Sequence, residues 1–295
     1  KFSSSWACNG FIILSKRTGK RTRLVWVKNM ARLLVCPPDY YGIEYEINPW
    51  MRVSNAAEPD RSKAQWRNLM QTLEKDAGAK LQRMRPIEGL PDLVFTANAG
   101  LTHDGKTVIS QFRQKERQRE EEYFKRWFTE HDYSVIPLGV ESYFEGAGDL
   151  LGFTDIWFGG YRQRSEIGAY AALSKIYDKE ILPLELVNKK FYHLDTCFCP
   201  LSGGELLYYP AAFDFYAQET IVNRIAEDRQ LVVPQVEAER FACNAVCVNR
   251  HVVLPAGCNR TMDLLKDHGY MPHPVELGEF AKSGGSAKCL TLALD

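Results

Sequence analysis

The sequence predicts a mixed α/β ring, a five-fold pseudosymmetric propeller of repeated ββαβ units, on three observations. First, apolar segments broken by proline recur: LQRMRPIEG around Pro86, YSVIPLG around Pro137, EILPLEL around Pro183, LVVPQVE around Pro234 and MPHPVEL around Pro274. Their intervals, 51, 46, 51 and 40 residues, are those of a repeated supersecondary unit. Second, each interval holds a stretch that reads as a β-hairpin: LVFTANAGLTHDGKTVIS, YFEGAGDLLGFTDIWFGG, HLDTCFCPLSGGELLYYP and FACNAVCVNRHVVLPAG. The turn signals HDGK, GFTD, SGGE and VNRH divide each into two apolar-alternating arms. Third, helical patterns separate the hairpins. A doubly wound parallel sheet is the alternative, but parallel crossovers have no use for tight turns directly between two strands.

Taken in order, residues 1–29 stand apart. They hold seven of the 37 Lys and Arg and none of the 37 Asp and Glu, and their apolar run FIIL is too short for a secretory core and precedes its charges. Three readings apply: a targeting peptide, a disordered tail, or a start assigned too far upstream. Met30, followed at once by the strand-like ARLLVCPP, favours the last. Residues 1–29 are therefore expected to be a basic extension, disordered or not native, and residues 30–295 a single catalytic domain.

Helical spacing of apolar residues follows in AEPDRSKAQWRNLMQTLEKDAG, with Asp60 expected as its cap. It returns in QKERQREEEYFKRWFTEHD, SEIGAYAALSKIYD, AFDFYAQETIVNRIAE and NRTMDLLKDHG, once after each hairpin. The unit is thus hairpin, helix, strand. The fifth hairpin is expected from the two chain ends, GGSAKCLTLALD supplying one arm and ARLLVCPP the other. A last strand that completes a ring delivers its residues to the axis, which accounts for Cys289 so near the end.

At 295 residues, 45% hydrophobic and 25% charged, the chain can bury a sizeable core. No apolar stretch approaches the roughly 18 residues of a membrane span. Beyond residue 29 there are 30 basic against 37 acidic groups, which argues against nucleic acid as a partner. The eight cysteines lack metal-ligand spacing: Cys197 and Cys199 are C-x-C, and Cys243 and Cys247 are C-x3-C. They read as small apolar side chains in buried strands, in a reducing cytoplasm.

If the units superpose, Asn98, Gly148, Cys197, Ala245 and Cys289 occupy matching positions around the axis. Near them stand Asn98, Glu145, Asp149, His193, Asp195 and Cys289, polar residues that a strand core would not choose. Burying them is costly without partners, so the cluster suggests a cationic ligand or catalysis.

The motifs FTANAG, EGAGD, HLD and GGSAKC, in this order and spacing, resemble those of the guanidine-modifying enzymes of the pentein fold. That group includes arginine deiminases, dimethylarginine dimethylaminohydrolases, amidinotransferases and arginine dihydrolases, and the resemblance covers residues 31–295. It implies that Cys289 is a nucleophile forming a covalent thiouronium adduct, without cofactor or metal. Lys288 and a cationic substrate would favour the thiolate, and the GGS stretch would let backbone approach the substrate. His193 would be the general acid and base. Asp195, two residues along a strand and so on the same face, would hold one edge of the guanidinium, and Glu145 its nitrogens. Asp149 would help or be structural.

One departure is informative. Where deiminases carry an aspartate in an FTRD-like motif, this sequence has Asn98. An amide, with donors and an acceptor, serves both a guanidinium and a neutral ureido group. This is the pattern of the arginine dihydrolase branch and the related succinylarginine dihydrolases. Asn48 in CPPDYYGIEYEINPWM resembles the same branch and would place a second amide over the site. A substrate α-carboxylate wants an arginine fork. Arg113, Arg117, Arg162 and Arg164 are candidates, with Arg117 and Arg164 favoured.

The expected function is a cofactor-free hydrolase converting arginine to ornithine, ammonia and carbon dioxide. A dimethylarginine dimethylaminohydrolase, an arginine deiminase and an amidinotransferase are alternatives within the same chemistry. A non-catalytic binding module of the same ring fold is an alternative of another class, against which Cys289, His193 and Glu145 speak. The expected partner is a small guanidino molecule, with neither nucleic acid nor membrane. Assembly into a homo-oligomer is left open.

Overall fold

The computed structural model describes residues 30–294 in full and, ahead of them, the backbone of three strands, Ser4–Cys8, Phe11–Thr18 and Arg21–Lys28, paired as one antiparallel sheet. The expectation that residues 1–29 are a disordered or non-native extension falls outside the fully described residues.

Residues 30–294 form five three-stranded sheets of one pattern. A first strand pairs antiparallel with a second, and the second pairs parallel with a third, which is reached through a helix. The sheets are Gly100–His103, Lys106–Ile109 and Ser134–Val135; Leu150–Phe153, Ile156–Tyr161 and Glu180–Glu185; Phe198–Pro200, Leu206–Tyr208 and Gln230–Val232; and Val246–Val248, His251–Pro255 and Met271–Val275. The fifth joins the chain ends as expected: Leu292–Ala293 pairs with Arg32–Val35, Leu292 opposite Leu34, and Arg32–Val35 pairs with Lys80–Arg83.

The connecting helices are Pro59–Gln71, Glu120–Glu130, Ile167–Tyr177, Phe215–Arg224 and Asn259–Asp267. Asp60 is not the cap of the first. Pro59 takes the opening helical position, where its missing N–H costs nothing, and Asp60 falls inside the first turn, where its charge suits the helix dipole. Asp214 does act as a cap, accepting from the Ala217 N–H at 2.8 Å.

Three apolar clusters fill the space between sheets and helices, represented by Phe191, Phe198 and Leu207, by Phe112, Phe124 and Phe128, and by Leu33, Leu69 and Phe280. Cys197, Cys199 and Cys243 are buried within the first, and the described cysteines are free thiols, in keeping with small apolar side chains. Among the described residues no helix is long and apolar enough to cross a membrane.

Short 3-10 turns, Thr96–Ala99, Gly146–Gly148 and Leu194–Thr196, lead into three of the first strands and bring their polar side chains to one end of the axis. They pack closely enough that a Cβ at Gly148 would overlap Asn98 Nδ2. The second glycine of EGAGD is there to make room for the amide.

Candidate active site

At that end lies a narrow cavity with about 10 Å³ of free space, room for little more than one water. Its wall includes Asn48, Asp92, Asn98, Arg117, Arg164, His193 and Cys289. Every one of these but Asn48 is nearly fully buried.

Cys289 sits at the floor. Its thiol donates towards both carboxylate oxygens of Asp195 at 3.7 and 3.6 Å, and it accepts from Asn244 Nδ2 at 3.1 Å. Asn244 fastens the whole turn: its Oδ1 accepts from the backbone N–H groups of Ser286 and Cys289, and its Nδ2 also reaches Asp195 O. Gly284, at φ +84°, lets the chain turn beneath Trp50 and Tyr192, whose atoms would lie 2.9 Å from a Cβ there. That glycine thus keeps a side chain clear of the two aromatic rings.

On the opposite wall His193 Nε2 meets Glu145 Oε2 at 2.7 Å. Arg164 Nη1 donates to the same oxygen at 3.0 Å, and the Arg113 N–H donates to Glu145 Oε1 at 3.2 Å. Burial alone would raise the Glu145 carboxyl, but Arg164 and His193 overcome it and hold the group well below the usual carboxylate range. The Glu145 pair is therefore an anion with His193 oriented on it, the arrangement of a proton-transfer dyad.

Asn98 donates through Nδ2 to Glu145 O at 2.9 Å and accepts through Oδ1 from Arg117 at 2.9 Å. One N–H and one lone pair remain for a ligand. Arg117 is otherwise committed: it grips Glu120 bidentately at 2.9 and 2.7 Å and lies over the Phe112 ring. Arg164 stacks on Tyr192 and donates to Ile47 O at 3.0 Å, which ties the segment carrying Asn48 across the mouth. Asn48 lines the cavity, but its amide is engaged by the backbone of Trp50, Met51 and Ser283.

Two expectations are corrected by this geometry. The Arg113 side chain is outside the cavity wall, stacked on Tyr143 and paired with Glu166 at 3.1 Å, and only its backbone N–H serves the site. Arg162 likewise points away, to Glu185. Burial, then Asp195, push the Cys289 thiol well above its ordinary range; Lys288 acts towards the thiolate, the direction the sequence suggested, but offsets only part of the rise. Asp149 resolves as structural. Its carboxyl accepts from Ser165 N, Ser165 Oγ and Leu194 N, fixing the neighbours of Arg164 and His193, and burial pushes it up to about 6.

The sequence reading missed Asn244 and Asp92. Asn244 stands two residues before the strand that begins at Val246, as Asn98 does before Gly100. The repeat's counterpart of Asn98 is therefore Asn244, one position from the Ala245 expected, and correct superposition of the hairpins would have found it. Asp92, in a 3-10 turn, accepts from Tyr45 OH through Oδ2, while its buried Oδ1 has no partner. Nothing in GLPDLVF distinguishes it from a turn aspartate.

Burial pushes the Asp195 carboxyl up to about 7, against the pull of Lys288, Cys289 and Asn244. An acid raised in the fold contributes stability that is complete below its unfolded pKa, near 4, and is lost as pH rises to about 7. Between pH 4 and 8 the parent protein is thus expected to lose a few kcal/mol relative to Asp195→Asn, which mimics the protonated acid. Equilibrium denaturation across that range checks it, and a flat difference would refute it.

A family model described as "N,N dimethylarginine dimethylhydrolase, eukaryotic" matches residues 46–294. The bifunctional arginine dihydrolase/ornithine cyclodeaminase ArgZ of Synechocystis sp. is 44% identical over 265 residues, 88% of this chain. The chain spans 37% of the length of that relative. The N(G),N(G)-dimethylarginine dimethylaminohydrolase of Mycobacterium tuberculosis is 33% identical over 289 residues, 98% of this chain and 93% of the relative. Among solved structures, the N-terminal domain of a variant of ArgZ, covalently bonded to a reaction intermediate, superposes with a TM-score of 0.87 at 43% identity, covering 90% of this chain and 98% of that one.

Proposed function

This chain belongs to the N,N-dimethylarginine dimethylhydrolase family of guanidine-modifying proteins, and from that membership we propose that residues 30–295 are a single-domain, cofactor-free arginine dihydrolase. It would convert arginine and two waters to ornithine, two ammonia and carbon dioxide. The observation that carries the reading is one narrow cavity lined by the Cys289 thiol, His193 and the half-engaged Asn98 amide, with Asp195 against the thiol and Glu145 against His193. Identity of 44% to ArgZ supports arginine as the substrate.

In this reading the buried thiol stays neutral until a guanidinium enters. That cation, placed against Asp195 and Cys289, supplies the charge that ionises the thiol. The thiolate attacks the guanidinium carbon, and the tetrahedral adduct expels ammonia, protonated by His193. His193 then takes a proton from water, which attacks the thiouronium carbon, and the C–S bond breaks to give citrulline. A second round on the ureido carbon expels the second ammonia, water cleaves the thiocarbamate, and the resulting carbamate loses carbon dioxide to leave ornithine. Glu145 orients His193 and stabilises its imidazolium.

Arg164, with Arg117 behind it, would take the α-carboxylate, and the unpartnered oxygen of Asp92 the α-ammonium. Arginine is larger than the free space of the cavity, so the wall must widen for entry, and the Arg164 hydrogen bond to Ile47 O is the contact proposed to give way. The free thiols suit a reducing cytoplasm.

Mass spectrometry of the products from arginine tests the proposal, with ornithine, ammonia and carbon dioxide expected and no urea. Asn98→Asp is expected to slow the citrulline step about 10- to 100-fold, because a carboxylate gives the neutral carbonyl no donor. Citrulline should then accumulate. The family model and the mycobacterial relative favour a second reading, dimethylarginine hydrolysis. Citrulline and dimethylamine from dimethylarginine, with arginine untouched, would establish it instead.

A further inference from the structure

A second cavity, of about 170 Å³, is walled by strands of four of the five sheets and by the turn that carries Lys288. Leu33, Leu151, Phe198 and Val246 make its sides apolar, and the exposed residues Gly152 and Ala293 stand at its mouth. One charged residue faces it, Lys288, whose Nζ is buried and has no hydrogen-bond partner. The other polar groups of the wall are spent: Cys199 donates to Ala245 O, Cys247 to Asn249 O and Thr291 Oγ1 to Lys288 O. Asp195, near enough to feel the Lys288 charge, is turned to Cys289. A buried ammonium with no hydrogen-bond partner is a costly arrangement even with a carboxyl nearby, and one beside an open apolar cavity is poised for an anion.

We propose that this cavity binds a short-chain monocarboxylate, its carboxylate paired with the Lys288 ammonium and its alkyl tail against Leu33, Leu151, Phe198 and Val246. A single ammonium neutralises a single negative charge, so a dianion such as phosphate would carry an uncompensated charge into apolar walls. A bare halide would leave those walls unfilled. The site is also coupled to catalysis. Lys288 precedes Cys289 in the chain, and its charge favours the ionised forms of both Asp195 and Cys289. An occupant that neutralises Lys288 makes the thiolate harder to form and slows turnover. That coupling rests on Cys289 as the nucleophile, whereas the binding does not.

Calorimetric titration with butyrate tests the site in the parent protein, Lys288→Met and Ala293→Trp, with phosphate and chloride as controls. Ala293→Trp plugs the mouth from an exposed position outside the catalytic cavity, so it is expected to keep its arginine turnover. The expected result is one butyrate per chain, at least tenfold weaker in Lys288→Met and undetectable in Ala293→Trp. Butyrate should slow turnover several-fold in the parent but not in Ala293→Trp. No saturable heat in the parent overturns the proposal, as does equal affinity in all three proteins, or phosphate or chloride binding as tightly as butyrate. Equal slowing in Ala293→Trp would place butyrate in the active site and overturn it too.

Discussion

Replacing Cys289 by alanine is expected to abolish arginine turnover, by about 10⁴-fold or more, while the fold survives. The loss is chemical because the other candidate nucleophile of the wall, the Ser283 hydroxyl, is paired with Tyr41 OH at 2.7 Å, Asp195 is raised by burial to about 7, and Asn244 is spent on backbone. The fold survives because the thiol holds nothing in place. Its contacts are the Asn244 amide and the Asp195 carboxyl, and Asn244 keeps its bonds to the Ser286 and Cys289 N–H groups when Sγ is gone. Thermal unfolding should shift little, and arginine should still bind calorimetrically, as Arg164, Asp92 and Glu145 are untouched. Residual turnover above about 1% in a folded variant would remove Cys289 from the chemistry, because truncating a covalent nucleophile leaves no alternative route of that efficiency.

Glu145→Gln carries the second largest expectation, and it acts on stability and rate together. Glu145 is the buried anion between Arg164 at 3.0 Å and His193 at 2.7 Å. Removing its charge leaves Arg164, 3% exposed, without a counter-ion, which costs about 3–5 kcal/mol. It also removes the group that orients His193 and stabilises its cation, lowering the rate by about 10²–10⁴-fold. The two effects separate in the double variant Glu145→Gln, Arg164→Met: with no unpaired charge left, stability should return in denaturant titrations. Turnover should not. Should the single variant prove as stable and active as the parent, the Arg164–Glu145–His193 chain would have neither role.

The architecture was legible because it rests on local signals repeated five times. HDGK and SGGE each mark a tight turn between alternating arms, and a hairpin of that kind needs only neighbouring residues to declare itself. The antiparallel pairing of Leu292 with Leu34 followed from the same repeat, since a ring one hairpin short can be completed only by its ends. Cap placement was less legible: Asp60 suits an N-cap by composition, but Pro59 begins the helix one residue earlier.

Within the site, Cys289, His193, Glu145, Asp195 and Asn98 were found because each is a polar residue in an apolar strand context, and the four motifs that hold them occur in order. Asp92 and Asn244 carried no such mark. A turn aspartate and an asparagine in the bend ahead of a strand become site residues only through what packs on them: Tyr45 and an unfilled cavity in one case, the 286–289 backbone in the other.

The sequence by itself determined the repeat, the closure of the ring by the chain ends and which polar side chains gather at the candidate site, because propensity, periodicity and turn chemistry act over a few residues. Only the tertiary structure decided their states: that Cys289 is a buried neutral thiol, that Glu145 is ionised and Asp195 is not at acid pH, that Arg113 faces outward, and that Lys288 stands unpaired over a second cavity. Charge state and orientation depend on desolvation and on partners dozens of residues away along the chain, and those distances exist only once the five sheets have closed.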